Sequence, residues 1–194
     1  MRENRHYASY LLSRRWTSLA YKYLFIYPFF LSFLGRKNLD FGCGIGDFLG
    51  FCNLFKKKII GVDINSFNID VCKKRSFDAR LLTKNMLVEL GQGSFDTIVL
   101  DNVLEHILSP QPTLKNINNL LKDRGLLIVG IPVGDAGFKA DQDHKVFYDE
   151  QGLDILLKRY NLIMIDHFYR PFNNDTLRKN LRQFCYYSVY RKMR

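Results

Sequence analysis

The chain has no pair of closely spaced cysteines: its four stand at 43, 52, 72 and 185. That spacing gives neither a zinc-type ligand set nor a disulfide framework, so reduced thiols in a cytoplasmic setting are expected, and no metal. No apolar run is long enough to span a bilayer as one helix. The longest, residues 23–34, has twelve residues and is interrupted by Pro28. It is expected to pack as a leading helix on a sheet or to contact a membrane from one side. The first residues lack the apolar core and small-residue cleavage site of a secretory signal. Repeats and low-complexity linkers are also missing. What remains is the composition of a soluble globular protein, 47% apolar and 25% charged, in 194 residues. That length suits one α/β domain, expected to span 1–194, with 1–36 as a helical lid or membrane-facing segment and 37–194 as the core.

Acidic residues are scarce only at the two ends. Residues 1–37 carry seven Lys/Arg against one acid and residues 158–194 nine against two, whereas 38–157 carry thirteen against sixteen. The net charge of +10 therefore belongs to the flanks. Basic flanks suit an anionic membrane face, a phosphate-bearing substrate or nucleic acid, and equally a plain solvated surface.

From residue 37 onward short apolar segments alternate with helical stretches, the pattern of a parallel sheet with helices on both faces. Strands are predicted at 38–41, 59–63, 80–83, 97–101, 126–131, 162–168 and 184–190. Helices are predicted at 47–57, 66–74, 103–108 with a continuation, 113–122 and 151–159. The run Lys56-Lys57-Lys58 would close the first of these helices, at the negative end of its dipole. The last two strands would form an antiparallel pair around a polar stretch at 173–175.

Residues 39–46 read Leu-Asp-Phe-Gly-Cys-Gly-Ile-Gly, and Val62-Asp63 follows one helix and one strand later. Alternate glycines let the chain turn sharply between a buried strand and a helix, and let a ligand lie against main-chain atoms. An acid at the end of the next strand suits the two hydroxyls of a ribose. A dinucleotide turn would require glycine at 47 or 49, where aspartate and leucine stand. Asp47 in the first helical turn also disfavours a pyrophosphate. The ligand implied is a nucleoside without phosphates.

In these residues the chain resembles the class I S-adenosylmethionine-dependent methyltransferases. Residues 39–46 look like their first motif, Gly61-Val62-Asp63 like the second, 93–107 like the fourth-strand segment of the broad small-molecule and glycan branch, and 125–132 like the fifth strand. The resemblance implies a Rossmann-like three-layer sandwich whose seven-stranded sheet is mostly parallel with an antiparallel last strand. It implies S-adenosyl-L-methionine as cofactor. Gly42, Gly44 and Gly46 would lie against its methionine part, and Asp63 would hold the ribose. Ile64 would stand beside the adenine, with Asn85 and Met86 at the adenine amino group. Asp40 would orient the loop or the cofactor's ammonium, and Asp101 and Asn102 would line the methyl-bearing end. Cys43 travels with the glycine loop, its side chain reading as packing and not as a nucleophile.

Transfer from a sulfonium needs little acid or base help for an amine, but a hydroxyl must lose a proton as it attacks. Of the histidines at 6, 106, 144 and 167, His144 stands in a polar loop after the fifth strand, with Asp141 or Asp143 to orient its ring. It is the candidate base, with a loop-anchoring role as the alternative. His106, beside Glu105, reads as fastening a helix. Tyr7, Tyr10, Arg14, Arg15 and Trp16 fall in a segment that in relatives covers the cofactor. The function expected is methyl transfer, by in-line displacement, to a hydroxyl of a small-molecule, glycan or lipid-linked acceptor at a membrane face. Two rivals are a nucleic-acid methyltransferase and a cofactor-binding protein without catalysis. Against the first, Asp101-Asn102-Val103-Leu104 replaces the Asp/Asn-Pro-Pro-aromatic of base-amine enzymes, and no cysteine lies between 73 and 184.

Overall fold

The computed structural model describes residues 19–134, 143–180 and 184–194. The sheet has seven strands: β1 (Asn38–Phe41), β2 (Ile59–Asp63), β3 (Ala79–Leu81), β4 (Phe95–Asp101), β5 (Leu121–Pro132), β6 (Leu162–Arg170) and β7 (Cys185–Lys192). Their order is β3-β2-β1-β4-β5-β7-β6. β1, β2 and β3 pair in parallel, as do β4 and β5, whereas β7 runs antiparallel to both of its neighbours. The expected Rossmann-like class, with its antiparallel last strand, is therefore observed. The chain forms two compact units, residues 1–91 and 92–194.

In the first unit the apolar N-terminal run is helical. A π-helical turn, Lys22–Ile26, leads into α1 (Tyr27–Ser32). Pro28 has no N–H to offer the preceding turn, and there the Tyr27 amide bonds the Lys22 carbonyl five residues back. The run packs on a helix, α2 (Asp47–Leu54), through its rings. Tyr27 lies 4.9 Å from Phe48 and 5.4 Å from Phe51, and Phe30 meets Phe48 edge-on. Such pairs add about 0.5–1.5 kcal/mol each beyond burial. No helix among the described residues is long and apolar enough to cross a membrane.

α2 ends at Leu54, not at 57 as its sequence suggests. Lys56 takes a left-handed φ of 54°, its amide bonds the Asn53 carbonyl, and the Lys57 amide bonds that of Cys52. This is a Schellman cap, a position glycine fills without a Cβ penalty. The lysine run thus lies beyond the helix. Lys56→Gly should raise stability by about 0.5–1 kcal/mol in a urea titration.

α3 (Ser66–Lys74) lies where expected, capped by the Asn65 side chain, which accepts from the Phe67 amide at 3.0 Å. β3 starts one residue earlier than predicted and ends at Leu81. A helix absent from the sequence reading follows: α4 (Lys84–Leu90), seven residues started by Thr83, whose hydroxyl accepts from the Met86 amide.

In the second unit, residues 103–108 form only a 3-10 turn, Leu104–His106. Asn102 before it is left-handed (φ 57°), and Pro110 disfavours a helical conformation at Ser109, so the turn does not continue into the next helix. α5 (Gln111–Leu120) starts instead at Pro110 and hands directly into β5. β5 is six residues longer than predicted, because Leu121 already pairs with Phe95 before a register shift. Lys192 caps α5, its ammonium 2.6 Å from the Asn118 carbonyl and 3.0 Å from that of Leu121. α6 (Glu150–Lys158) begins at Asp149, whose carboxylate accepts from the Gly152 amide. The polar stretch before β7 holds a further unpredicted helix, α7 (Asp175–Asn180).

Candidate active site

The glycine loop leaves the end of β1 and enters α2 within the first unit. Gly42, Gly44 and Gly46 all have positive φ (86°, 53° and 83°), a conformation that Cβ-bearing residues adopt at a cost. The Gly42 and Cys43 amides bond the Val62 carbonyl at 2.7 and 3.0 Å, which ties the loop to β2. Gly46 also needs its missing side chain for space: a Cβ there would stand 2.8 Å from Cys72 Sγ and 2.9 Å from Phe77 Cδ2. Left-handed strain and overpacking together should make Gly46→Ala about 2–4 kcal/mol less stable in denaturant unfolding.

Asp63, at the end of β2, is buried and uses both oxygens, one on the glycine loop and one on the turn into α3. Oδ2 accepts from the Gly44 amide at 2.8 Å, and Oδ1 from the Asn65 amide at 2.7 Å. Each carboxylate oxygen keeps a second lone pair for a hydroxyl, so the group is fixed in position yet able to accept from a diol.

Two contacts here escaped the sequence reading. Arg75, at the end of α3, donates to the Ile45 carbonyl at 2.8 Å and stands 3.7 Å from Asp47. Cys72 Sγ lies 3.4 Å from the Gly44 carbonyl. Neither residue belongs to a motif, and only the packing of α3 brings them to the loop. Cys43 packs against Leu49, Ile69 and Cys72. Its thiol is held strongly protonated by the hydrogen bond with Cys72, by burial and by the charges of Asp40 and Asp63. A packing role suits such a group and a thiolate nucleophile does not. Asp40 is buried in β1, Ile64 is 80% exposed, Asn85 is exposed on α4, and Met86 is half-buried.

In the second unit, Asp101 closes β4 and accepts from the Asn102 side-chain amide at 2.7 Å. The Asn102 backbone amide bonds the Gly130 carbonyl, and Cys185 Sγ lies 3.6 Å from its side-chain oxygen. A Cβ on Gly130 would collide with Tyr187 Cε1 and stand 3.1 Å from Asp101 Oδ1, so this glycine makes room chiefly for the Tyr187 ring, with the carboxylate beside it.

His144 is nearly buried, with Nε2 3.9 Å from Oε1 of the buried Glu105. The sequence named Asp141 or Asp143 as its acidic neighbour. The structure instead places Glu105 there, because the Lys145 and Val146 amides both bond the Glu105 carbonyl and dock the histidine's segment on the 3-10 turn. Asp143 contributes its main-chain oxygen, 3.3 Å from His106 Nδ1, and Asp141 lies outside the described residues. The His106 ring meets that of His144 edge-on at 4.9 Å, which joins His106 to this cluster. Glu105, His106 and His144 each offer one ligand atom within 4.8 Å of the others, a set able to hold a divalent ion. Tyr148 completes the group, its hydroxyl held protonated by burial and by the Glu105 charge. It also lines a cleft of about 420 Å³ with Leu108, Gln111, Phe147, Ile155 and Arg159. His167 lies on β6 among Tyr169 and Tyr186, apart from this cluster in the sheet register. His6 and the residues at 7, 10 and 14–16 fall outside the described residues.

A family profile described as a methyltransferase domain matches residues 6–185. The chain belongs to that family. This agrees with the resemblance to class I S-adenosylmethionine-dependent methyltransferases, and the methyltransferase is an enzyme whose cofactor is S-adenosylmethionine. A left-handed glycine loop beside a buried, doubly anchored aspartate fits a nucleoside diol and an uncharged approach to backbone. The chain is 27% identical over 170 residues to the ubiquinone biosynthesis O-methyltransferase of Bartonella quintana, covering 75% of this chain and 68% of that one. Among solved structures, a Thermotoga maritima methyltransferase described as a possible histamine N-methyltransferase superposes with a TM-score of 0.71 at 17% identity, covering 99% of this chain and 100% of that one. The Burkholderia thailandensis 1,6-didemethyltoxoflavin-N1-methyltransferase, solved with bound 1,6-didemethyltoxoflavin and S-adenosylhomocysteine, gives a TM-score of 0.69 at 15% identity, covering 99% of this chain and 88% of that one.

Proposed function

We propose that this methyltransferase acts on a hydroxyl group of a small-molecule acceptor, with His144 as the general base. The carrying observation is the pairing of His144 with the buried Glu105, two side chains at 3.9 Å on segments joined by two main-chain hydrogen bonds. S-adenosylmethionine supplies a methyl already activated on sulfonium, so the protein's tasks are alignment and proton removal. Asp63 accepts from the ribose hydroxyls, Gly42, Gly44 and Gly46 permit close approach to the backbone, and Asp40, Asp101 and Asn102 serve the amino-acid and methyl-bearing end. Ile64, Asn85 and Met86 belong to the adenine side. His144 takes the hydroxyl proton on a ring nitrogen, and the Glu105 carboxylate stabilises the imidazolium that results. An amine acceptor would not call for that pair.

The cleft lined by Tyr148, Phe147, Ile155 and Arg159 suits an acceptor with an apolar body and an anionic group. Phosphate-bearing and lipid-linked compounds have that character, and the basic ends of the chain favour them. The O-methyltransferase relatives agree with a hydroxyl acceptor. A mass-spectrometric screen with labelled S-adenosylmethionine, run over matched hydroxyl and amine compounds, tests the proposal. Labelled product is expected from the hydroxyl member of a pair, and product from the amine alone would overturn it.

A further inference from the structure

The first unit carries a feature that methyl transfer does not use, at the N-terminal ends of β1 and β2. The glycine loop and Asp63 lie at the opposite, C-terminal ends of the same strands. Six consecutive residues from the end of α2 to the start of β2, Asn53, Leu54, Phe55, Lys56, Lys57 and Lys58, are all exposed. Leu54 is 69% exposed and Phe55 53%, unusual values for large apolar side chains standing directly beside three lysines. The turn into β1 carries two further exposed cations, Arg36 and Lys37.

The two turns are fastened together. The buried Asn38 accepts from the Gly35 amide at 2.9 Å and donates to the Gly35 carbonyl at 3.1 Å, while also donating to the Lys58 carbonyl at 2.8 Å. Five cations therefore share one rim, with no acidic residue in either turn. Phe55 is steadied from below by Phe51, ring centroids 4.9 Å apart. Lys56 holds its left-handed conformation where glycine would fit without strain, so a side chain is kept there at a local cost.

We infer that this rim docks on the surface of an anionic lipid bilayer, with Leu54 and Phe55 entering the headgroup boundary and Arg36, Lys37 and Lys56–58 facing the lipid phosphates. Cations alone would suit any polyanion. Two protruding apolar side chains among them suit an interface that is charged outside and apolar beneath. Docking by this rim leaves the glycine loop, at the other end of β1, clear of the surface.

The test is flotation of the full chain with phosphatidylcholine vesicles and with vesicles of phosphatidylcholine and phosphatidylglycerol in equal parts, at low and high salt. Binding is expected only to the anionic vesicles, weakened by salt. Replacing Lys56, Lys57 and Lys58 together by Gln should weaken it about a hundredfold. Leu54→Ser with Phe55→Ser should weaken it at least about tenfold. S-adenosylmethionine titration should be unchanged in both variants, which shows that they fold. Absence of flotation at low salt, or equal flotation of wild type and either variant, overturns the inference. So does a Leu54/Phe55 variant that floats normally while single-stranded RNA displaces the wild type from vesicles, since the rim would then be a nucleic-acid surface. None of these readouts involves methyl transfer, so a failure here leaves the proposed reaction untouched, and the reverse also holds.

Discussion

Replacing Asp63 by alanine should weaken S-adenosylmethionine binding about a hundredfold in a calorimetric titration. The carboxylate would accept two hydrogen bonds from the ribose, and bonds to a charged acceptor contribute about 1.5 kcal/mol or more each. The same substitution removes the acceptor for the Gly44 and Asn65 amides, now at 2.8 and 2.7 Å. Some folding stability is lost with it, so the affinity should be read well below the unfolding transition. Asp63→Asn keeps one acceptor oxygen and should cost about tenfold. An Asp63→Ala variant that folds and binds S-adenosylmethionine as tightly as wild type would mean that Asp63 serves only the loop.

Replacing His144 by alanine should lower kcat for a hydroxyl acceptor by about a hundredfold to ten-thousandfold, the usual worth of a positioned base. Affinity for S-adenosylmethionine should not change. Glu105 acts through the histidine, so Glu105→Gln should give a smaller loss of the same kind. The distinguishing readout is an acceptor whose hydroxyl is already ionised at the assay pH. It has no proton to give up, so both variants should methylate it at nearly the wild-type rate. Equal losses on ionised and protonated acceptors would instead assign the Glu105–His144 pair to scaffolding, with the two amide bonds from Lys145 and Val146 to Glu105 as its purpose.

The donor side of this protein was legible in sequence because its signals are local. Three alternate glycines and an aspartate one strand later state a backbone conformation and a charge, and the structure shows both: three positive φ values and a buried carboxylate bonded to the loop. Arg75 and Cys72 were not legible, since they reach the loop only through the packing of α3 and stand in no fixed spacing from it. On the acceptor side His144 was singled out, but its acidic neighbour was sought one or three residues away. The pairing runs instead across 39 residues to Glu105, set by main-chain bonds that carry no side-chain signature. Among the elements, the core strands β1 and β2 followed from their apolar runs. α4 and α7 did not, because seven- and six-residue helices carry too little periodicity to be seen. The end of α2 was misplaced for a related reason: a lysine fills a cap position where glycine is the usual signal.

The central claim is that the methyl arrives on oxygen. Methyl-carbon-13 S-adenosylmethionine, turned over with the acceptor found by the mass-spectrometric screen, places the labelled carbon directly in a carbon-13 NMR spectrum. An oxygen-bound methyl resonance is the predicted result, and a methyl bound to nitrogen or carbon would contradict the account.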